Sequence, residues 1–236
     1  MNRSRDCWSN GVKRVTDYAG WPEQLAALAT QYQLARVELT VAERPLELVK
    51  VENIDDLLDR VSDPDQIPFW AELWPAAIGL ARYVLSNRAR VAGQRLLELG
   101  CGVGLAGIAA KLAGATVVQS DFSPDALRFA AVNCQRNGVP AEPQLLADWR
   151  AFPKEAGRFD RVMGSDILYE KTLHQELCQI FQNHLRPGGE IWLADPGRDH
   201  AKQFIAERTA GWRVIQTAIP VAYEGKTRAI DLYRLV

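Results

Sequence analysis

The sequence predicts an α/β domain. Its sheet is doubly wound, mostly parallel and seven-stranded, with helices on both faces and a C-terminal antiparallel strand pair. Three observations predict it. From Arg95 to Thr209, short apolar runs alternate with helical patterns, the signature of parallel crossover units. A glycine-rich turn, Gly100-Cys101-Gly102-Val103-Gly104, follows the first of these strands. Lastly, Trp212 to Ile219 and Arg228 to Val236 flank a turn at Glu224-Gly225-Lys226.

The chain has 236 residues and a formal net charge of -1, so bulk charge offers no argument for a nucleic-acid or membrane partner. No apolar run is long enough to span a bilayer, and Met1 to Asn10 lack the apolar segment of a signal peptide. Cys7, Cys101, Cys134 and Cys178 form no CxxC pair, which points to a reducing, cytoplasmic setting. His174, His184 and His200 have no acidic or cysteine partner at ligand spacing, so no metal is expected.

Residues 1–65 read as an N-terminal extension, and residues 66–236 as the main domain. In the extension, residues 1–20 are polar and frayed or loosely helical. Pro22 to Tyr32 predicts a helix. Val37 to Val41 and Leu46 to Val51 predict a hairpin around Ala42-Glu43-Arg44-Pro45. Ile54 to Val61 reads as a short helix, broken at Asp63-Pro64-Asp65. The whole extension is a candidate substrate-facing cap.

An aromatic segment, Phe69 to Trp74, leads into a helix from Pro75 to about Ser86. Strands then run over Arg95–Leu99, Thr116–Ser120, Gln144–Ala147, Arg161–Gly164 and Glu190–Ala194. Ser123 and Pro124 open a helix that Gly138 stops. A helix from Lys171 to about Leu185 is closed by Pro187-Gly188-Gly189, and another covers His200 to Thr209.

Parallel sheets bind ligands outside the carboxyl ends of their strands. The residues there are Glu98 with Gly100, Cys101, Gly102 and Gly104; Asp121 and Phe122; Asp148 and Trp149; Ser165 and Asp166; and Asp195. Two ligands compete for the glycine loop. Gly102 to Gly107 spells GxGxxG, a dinucleotide fingerprint, and an NAD-binding oxidoreductase is one reading. Glu98, read as facing the loop, would repel a pyrophosphate and favour a cationic ligand. S-adenosyl-L-methionine carries an ammonium and a sulfonium, a ribose for Asp121, and an adenine for Asp148-Trp149.

In this order the residues resemble a known family. Leu97-Glu98-Leu99-Gly100-Cys101-Gly102-Val103-Gly104 resembles the first motif of class I, seven-strand methyltransferases, and Asp121 their acidic residue after the second strand. Trp70 to Ala77 and Ser165-Asp166-Ile167-Leu168-Tyr169-Glu170 resemble the seven-strand protein lysine methyltransferases. That group includes the enzymes of the electron-transfer flavoprotein beta subunit and of chaperones. The resemblance implies a Rossmann-like fold, S-adenosyl-L-methionine as cofactor, S-adenosyl-L-homocysteine as product and a protein lysine as acceptor. A small-molecule amine is the alternative acceptor. It further implies cofactor contacts from Trp74, Gly100, Cys101, Gly102, Asp121, Trp149 and Ser165. Asp166 and Tyr169 match the group's acidic-x-x-aromatic motif and are the candidate catalytic residues.

Overall fold

A computed structural model describes residues 21–58 and 67–236. The readings for residues 1–20, for the Asp63-Pro64-Asp65 break and for the second half of the Ile54–Val61 helix lie outside the described residues.

Helix α1 (Trp21–Gln31) is followed by the hairpin strands β1 (Leu34–Val41) and β2 (Arg44–Val51), then by a single turn, α2 (Asp55–Leu58). The hairpin closes through Ala42 and Glu43, both at positive φ (47° and 65°), as a tight turn between twisted strands requires. Helix α3 (Pro75–Ser86) begins with proline in its first turn, where the missing N–H costs nothing.

The main sheet is built from β3 (Arg95–Leu99), β4 (Thr116–Asp121), β5 (Gln144–Leu146), β6 (Phe159–Ser165), β7 (Leu185–Asp195), β8 (Val214–Tyr223) and β9 (Lys226–Leu235). Their order is β5-β4-β3-β6-β7-β9-β8. The first five strands are parallel, and β9 runs antiparallel between β7 and β8. The connecting helices are α4 (Leu105–Leu112), α5 (Pro124–Arg136), α6 (His174–His184) and α7 (Asp199–Arg208). Ser123 caps α5 by accepting the Ala126 amide, as its place before Pro124 predicts.

Side chains alternate between the two faces of each strand. Along β3, Leu96 packs under α3 and α4, whereas Leu97 and Leu99 join the core under α6 and α7. A third cluster joins α1, β2 and α5 through Leu28, Val49, Val51, Phe129 and Val132.

Several boundaries differ from the sequence reading, and two of them change the nature of an element. Pro187-Gly188-Gly189 lies within β7. Leu185 already pairs with Phe159 and Glu190 with Arg161, so the residues between them bulge out of the ladder. Lys171 to Leu173 form a tight 3-10 turn, and α6 proper begins at His174. Among the described residues, no helix is long and apolar enough to cross a membrane.

Candidate active site

The carboxyl ends of β3, β4 and β6, with the loop after β5, converge on one cleft. The cleft opens to solvent, and its space, open solvent included, is about 1240 Å³.

The floor is the glycine loop. Gly100, Gly102 and Gly104 all have positive φ (63°, 49° and 88°), conformations that other residues adopt only with strain. A Cβ on Gly100 would lie 3.1 Å from Ile167 and 3.4 Å from the Trp149 ring; one on Gly102 would lie 3.3 Å from the Trp70 carbonyl. Asp121 holds the loop from the side. One of its oxygens accepts the Gly102 amide at 3.0 Å and the other the Ser123 amide at 3.0 Å. Burial pushes its carboxyl up to about 6, and the amide hydrogen bonds work in the opposite direction.

Trp149 is half-buried in the wall after β5. Asp148 caps that turn through the Arg150 amide at 2.9 Å. Phe122 and Ser165 line the same cavity. Trp74 lies across it, its indole N–H donating to the Phe69 carbonyl at 2.8 Å. Cys101 lines the floor too, but burial lifts its thiol well above the ordinary range, so it offers backbone and bulk, not a nucleophile.

At the mouth, Asp166 and Tyr169 lie in the loop after β6. The Asp166 carboxylate is ion-paired with Arg198, and its amide donates to the Ala194 carbonyl at 2.8 Å. The Tyr169 ring meets Phe69 edge-on at 5.4 Å, and Phe69 meets Trp74 at 6.1 Å. Partial burial, then the charges of Glu170 and Asp121, raise the Tyr169 phenol, so its hydroxyl stays protonated.

Three sequence-nominated residues, Glu98, Gly104 and Asp195, are not part of the lining. Glu98 shares the strand face of Leu96 and therefore points beneath α4. There it accepts the Gly107 amide at 3.0 Å and the Gln119 side-chain amide at 2.9 Å. Its burial raises its carboxyl to about 7. Glu98 therefore does not repel a phosphate from within the cleft, contrary to the sequence expectation. Gly104 caps α4, where a Cβ would sit 2.8 Å from that of Ala130. The third glycine of the GxGxxG match is also a packing residue. A Cβ on Gly107 would fall 2.2 Å from a Glu98 oxygen. No described residue of 21–58 lines the cleft, and the hairpin lies against α5.

Sequence reasoning missed Phe69 and Glu72 as lining residues and Arg198 as the partner of Asp166. Arg198 gave one signal: a cation just past the carboxyl end of β7, in Asp195-Pro196-Gly197-Arg198.

Strand order, glycine loop and acidic second strand together define the class I methyltransferase fold. The T. thermophilus 16S rRNA N2 G1207 methyltransferase RsmC, solved with AdoMet and guanosine, superposes with a TM-score of 0.60 at 15% identity. That match covers 86% of this chain and 50% of that one, and shows the fold alone. Within this class the chain belongs to the lysine methyltransferase family, whose model matches residues 66–208.

The chain is similar to the Mus musculus electron transfer flavoprotein beta subunit lysine methyltransferase. Identity is 35% over 137 residues, 57% of this chain and 53% of that protein. It is also similar to the Xenopus laevis histone-arginine methyltransferase METTL23, at 30% over 193 residues, 78% of this chain and 82% of that protein. The chain spans about half the length of the electron transfer flavoprotein relatives it matches.

Proposed function

We propose that this chain transfers a methyl group from S-adenosyl-L-methionine to a lysine side chain of a protein, in the cytoplasm. One observation carries the choice of a protein acceptor. Four large hydrophobic side chains are exposed among the described residues, and three of them, Phe69, Phe122 and Tyr169, surround the mouth of this cleft. An open apolar rim beside a carboxylate suits a chain-borne cation whose stem lies along aromatic faces. A small amine would call for a closed chamber. Cys101, Cys134 and Cys178 are unpaired, which suits a reducing compartment. Residues 66–236 carry the reaction in this reading, with residues 1–65 as a supporting extension.

Gly100, Cys101, Gly102, Asp121, Phe122, Asp148, Trp149, Ser165 and Trp74 would hold the cofactor. The fit rests on Asp121, a buried carboxylate at the strand end with lone pairs left for ribose hydroxyls, and on the loop's missing Cβ atoms. When bound, the cofactor supplies an electrophilic methyl group on a sulfonium and leaves as S-adenosyl-L-homocysteine. Asp166 receives the acceptor's ammonium and orients the amine once its proton has left through the open mouth. Phe69, Trp74 and Tyr169 strip water from the amine and align it. No enzyme nucleophile is required.

Calorimetry with S-adenosyl-L-homocysteine and with NAD tests the cofactor half; binding of NAD alone overturns it. Tritiated cofactor incubated with a lysate of the source organism tests the acceptor half. A labelled protein band is expected, and label confined to small molecules overturns it. Asp166→Ala should lower turnover more than tenfold while cofactor affinity stays within about twofold.

A further inference from the structure

We infer that the turn between β7 and α7, together with the first turn of α7, clamps the acceptor loop, with Arg198 and His200 as the positioning residues. The loop from Asp166 to Tyr169 is held at both ends by this one segment. At one end, both Arg198 terminal nitrogens reach the Asp166 carboxylate, Nη2 at 3.3 Å from Oδ2 and Nη1 on Oδ1. At the other, His200 Nδ1 lies 3.0 Å from the Tyr169 carbonyl oxygen. A carbonyl only accepts, so that ring nitrogen carries the proton.

Asp166 needs holding. It is a non-glycine residue at φ +58°, in the left-handed region, and it is almost fully buried. The clamp is anchored in turn. Asp195, fully buried at the end of β7, accepts the Gly197 amide at 2.8 Å and the Arg198 amide at 2.7 Å. Its other oxygen makes no hydrogen bond and lies 3.5 Å from Arg198 Nη1. The guanidinium thus bridges Asp195 and Asp166. Gly197 sits at φ +90°, which turns the chain back so that Arg198 can reach across.

The division of space points to function. Asp166 and Tyr169 line the cleft, whereas Arg198 and His200 do not. The fork of Arg198 occupies one side of the carboxylate in a planar, two-point contact that fixes its rotation. The side toward the cleft is left to receive the acceptor amine. Pre-set geometry of this kind lowers the entropic cost of aligning an amine.

The kinetic arm of the test rests on the lysine-acceptor reading; the exchange arm does not. Hydrogen exchange is measured with S-adenosyl-L-homocysteine bound. In Arg198→Ala, amides of residues 167–170 should exchange about tenfold faster than in the wild type, with residues 100–104 unchanged. His200→Ala should loosen the Tyr169 end alone, and Arg198→Lys should give an intermediate result. S-adenosyl-L-homocysteine affinity by calorimetry should stay within about twofold, while label transfer to protein falls about tenfold and partly returns with millimolar ethylguanidinium.

Unchanged exchange at 167–170 overturns the clamp. So does a uniform rise that includes 100–104 with loss of S-adenosyl-L-homocysteine binding. Faster loop exchange in a protein whose wild type labels no protein supports the clamp and overturns the acceptor reading alone.

Discussion

Two buried carboxylates, Asp121 and Glu98, sit on adjacent strands with opposite exposures to the ligand, and they predict different pH effects. Asp121 faces the cleft with its carboxyl raised to about 6. Binding that uses both of its oxygens needs the ionised form. S-adenosyl-L-homocysteine affinity should therefore be level above about pH 6 and fall about tenfold per unit below it. Asp121→Ala should weaken binding by about one to two orders of magnitude, the worth of hydrogen bonds to a charged group. Calorimetry across pH checks both; an affinity indifferent to Asp121 would remove it from the ribose site. Glu98 faces α4, and its carboxyl is raised to about 7 by burial. The folded state then holds a proton that the unfolded chain has released. Its stabilising effect is complete below the ordinary glutamate range, near pH 4, and is lost as pH rises through about 7. Thermal melts of the ligand-free protein should fall between about pH 5 and 8. Glu98→Gln should reduce that slope, chiefly above about pH 6 where the Asp121 carboxyl is already ionised, and an unchanged slope there would assign the pH effect elsewhere.

The extension and the glycine loop meet in helix α5. Asn133, fully buried, accepts the Val49 amide at 2.7 Å and donates to the carbonyls of Val49 and Val103, each at 2.9 Å. Val49 belongs to the hairpin and Val103 to the loop beneath the cofactor, so one side chain joins the two. One turn later, Asn137 repeats the pattern on Glu47, accepting its amide at 3.1 Å and donating to its carbonyl at 2.7 Å. A second tie is the Lys50–Glu72 ion pair at 2.8 Å, which fastens β2 to the aromatic wall. Asn133→Ala strands three buried backbone groups and should cost about 3 kcal/mol in urea unfolding. It should also weaken S-adenosyl-L-homocysteine binding, because the Val103 carbonyl is released. Lost stability with unchanged binding would show that the hairpin does not support the loop.

Across the whole molecule, the sheet was legible wherever a pattern is local. Period-two strands, the Ser123-Pro124 helix start and the Glu224-Gly225 turn each announce themselves within a few residues. Contacts between distant positions left no such mark. Asp166 meets Arg198 across 32 residues, and Asn133 meets Val49 across 84. The Glu98 error was of another kind. Alternation along β3 puts it on the face of Leu96, so its direction was readable, but its neighbours beneath α4 were not. The paired asparagines have one more consequence, for the protein in crowded company. A two-stranded hairpin ordinarily offers a row of bare amides and carbonyls to any passing strand. Here the outer edge of β2 is already occupied at Glu47 and Val49 by side chains that imitate a neighbouring strand. Another strand arriving at this edge would find those backbone groups already paired.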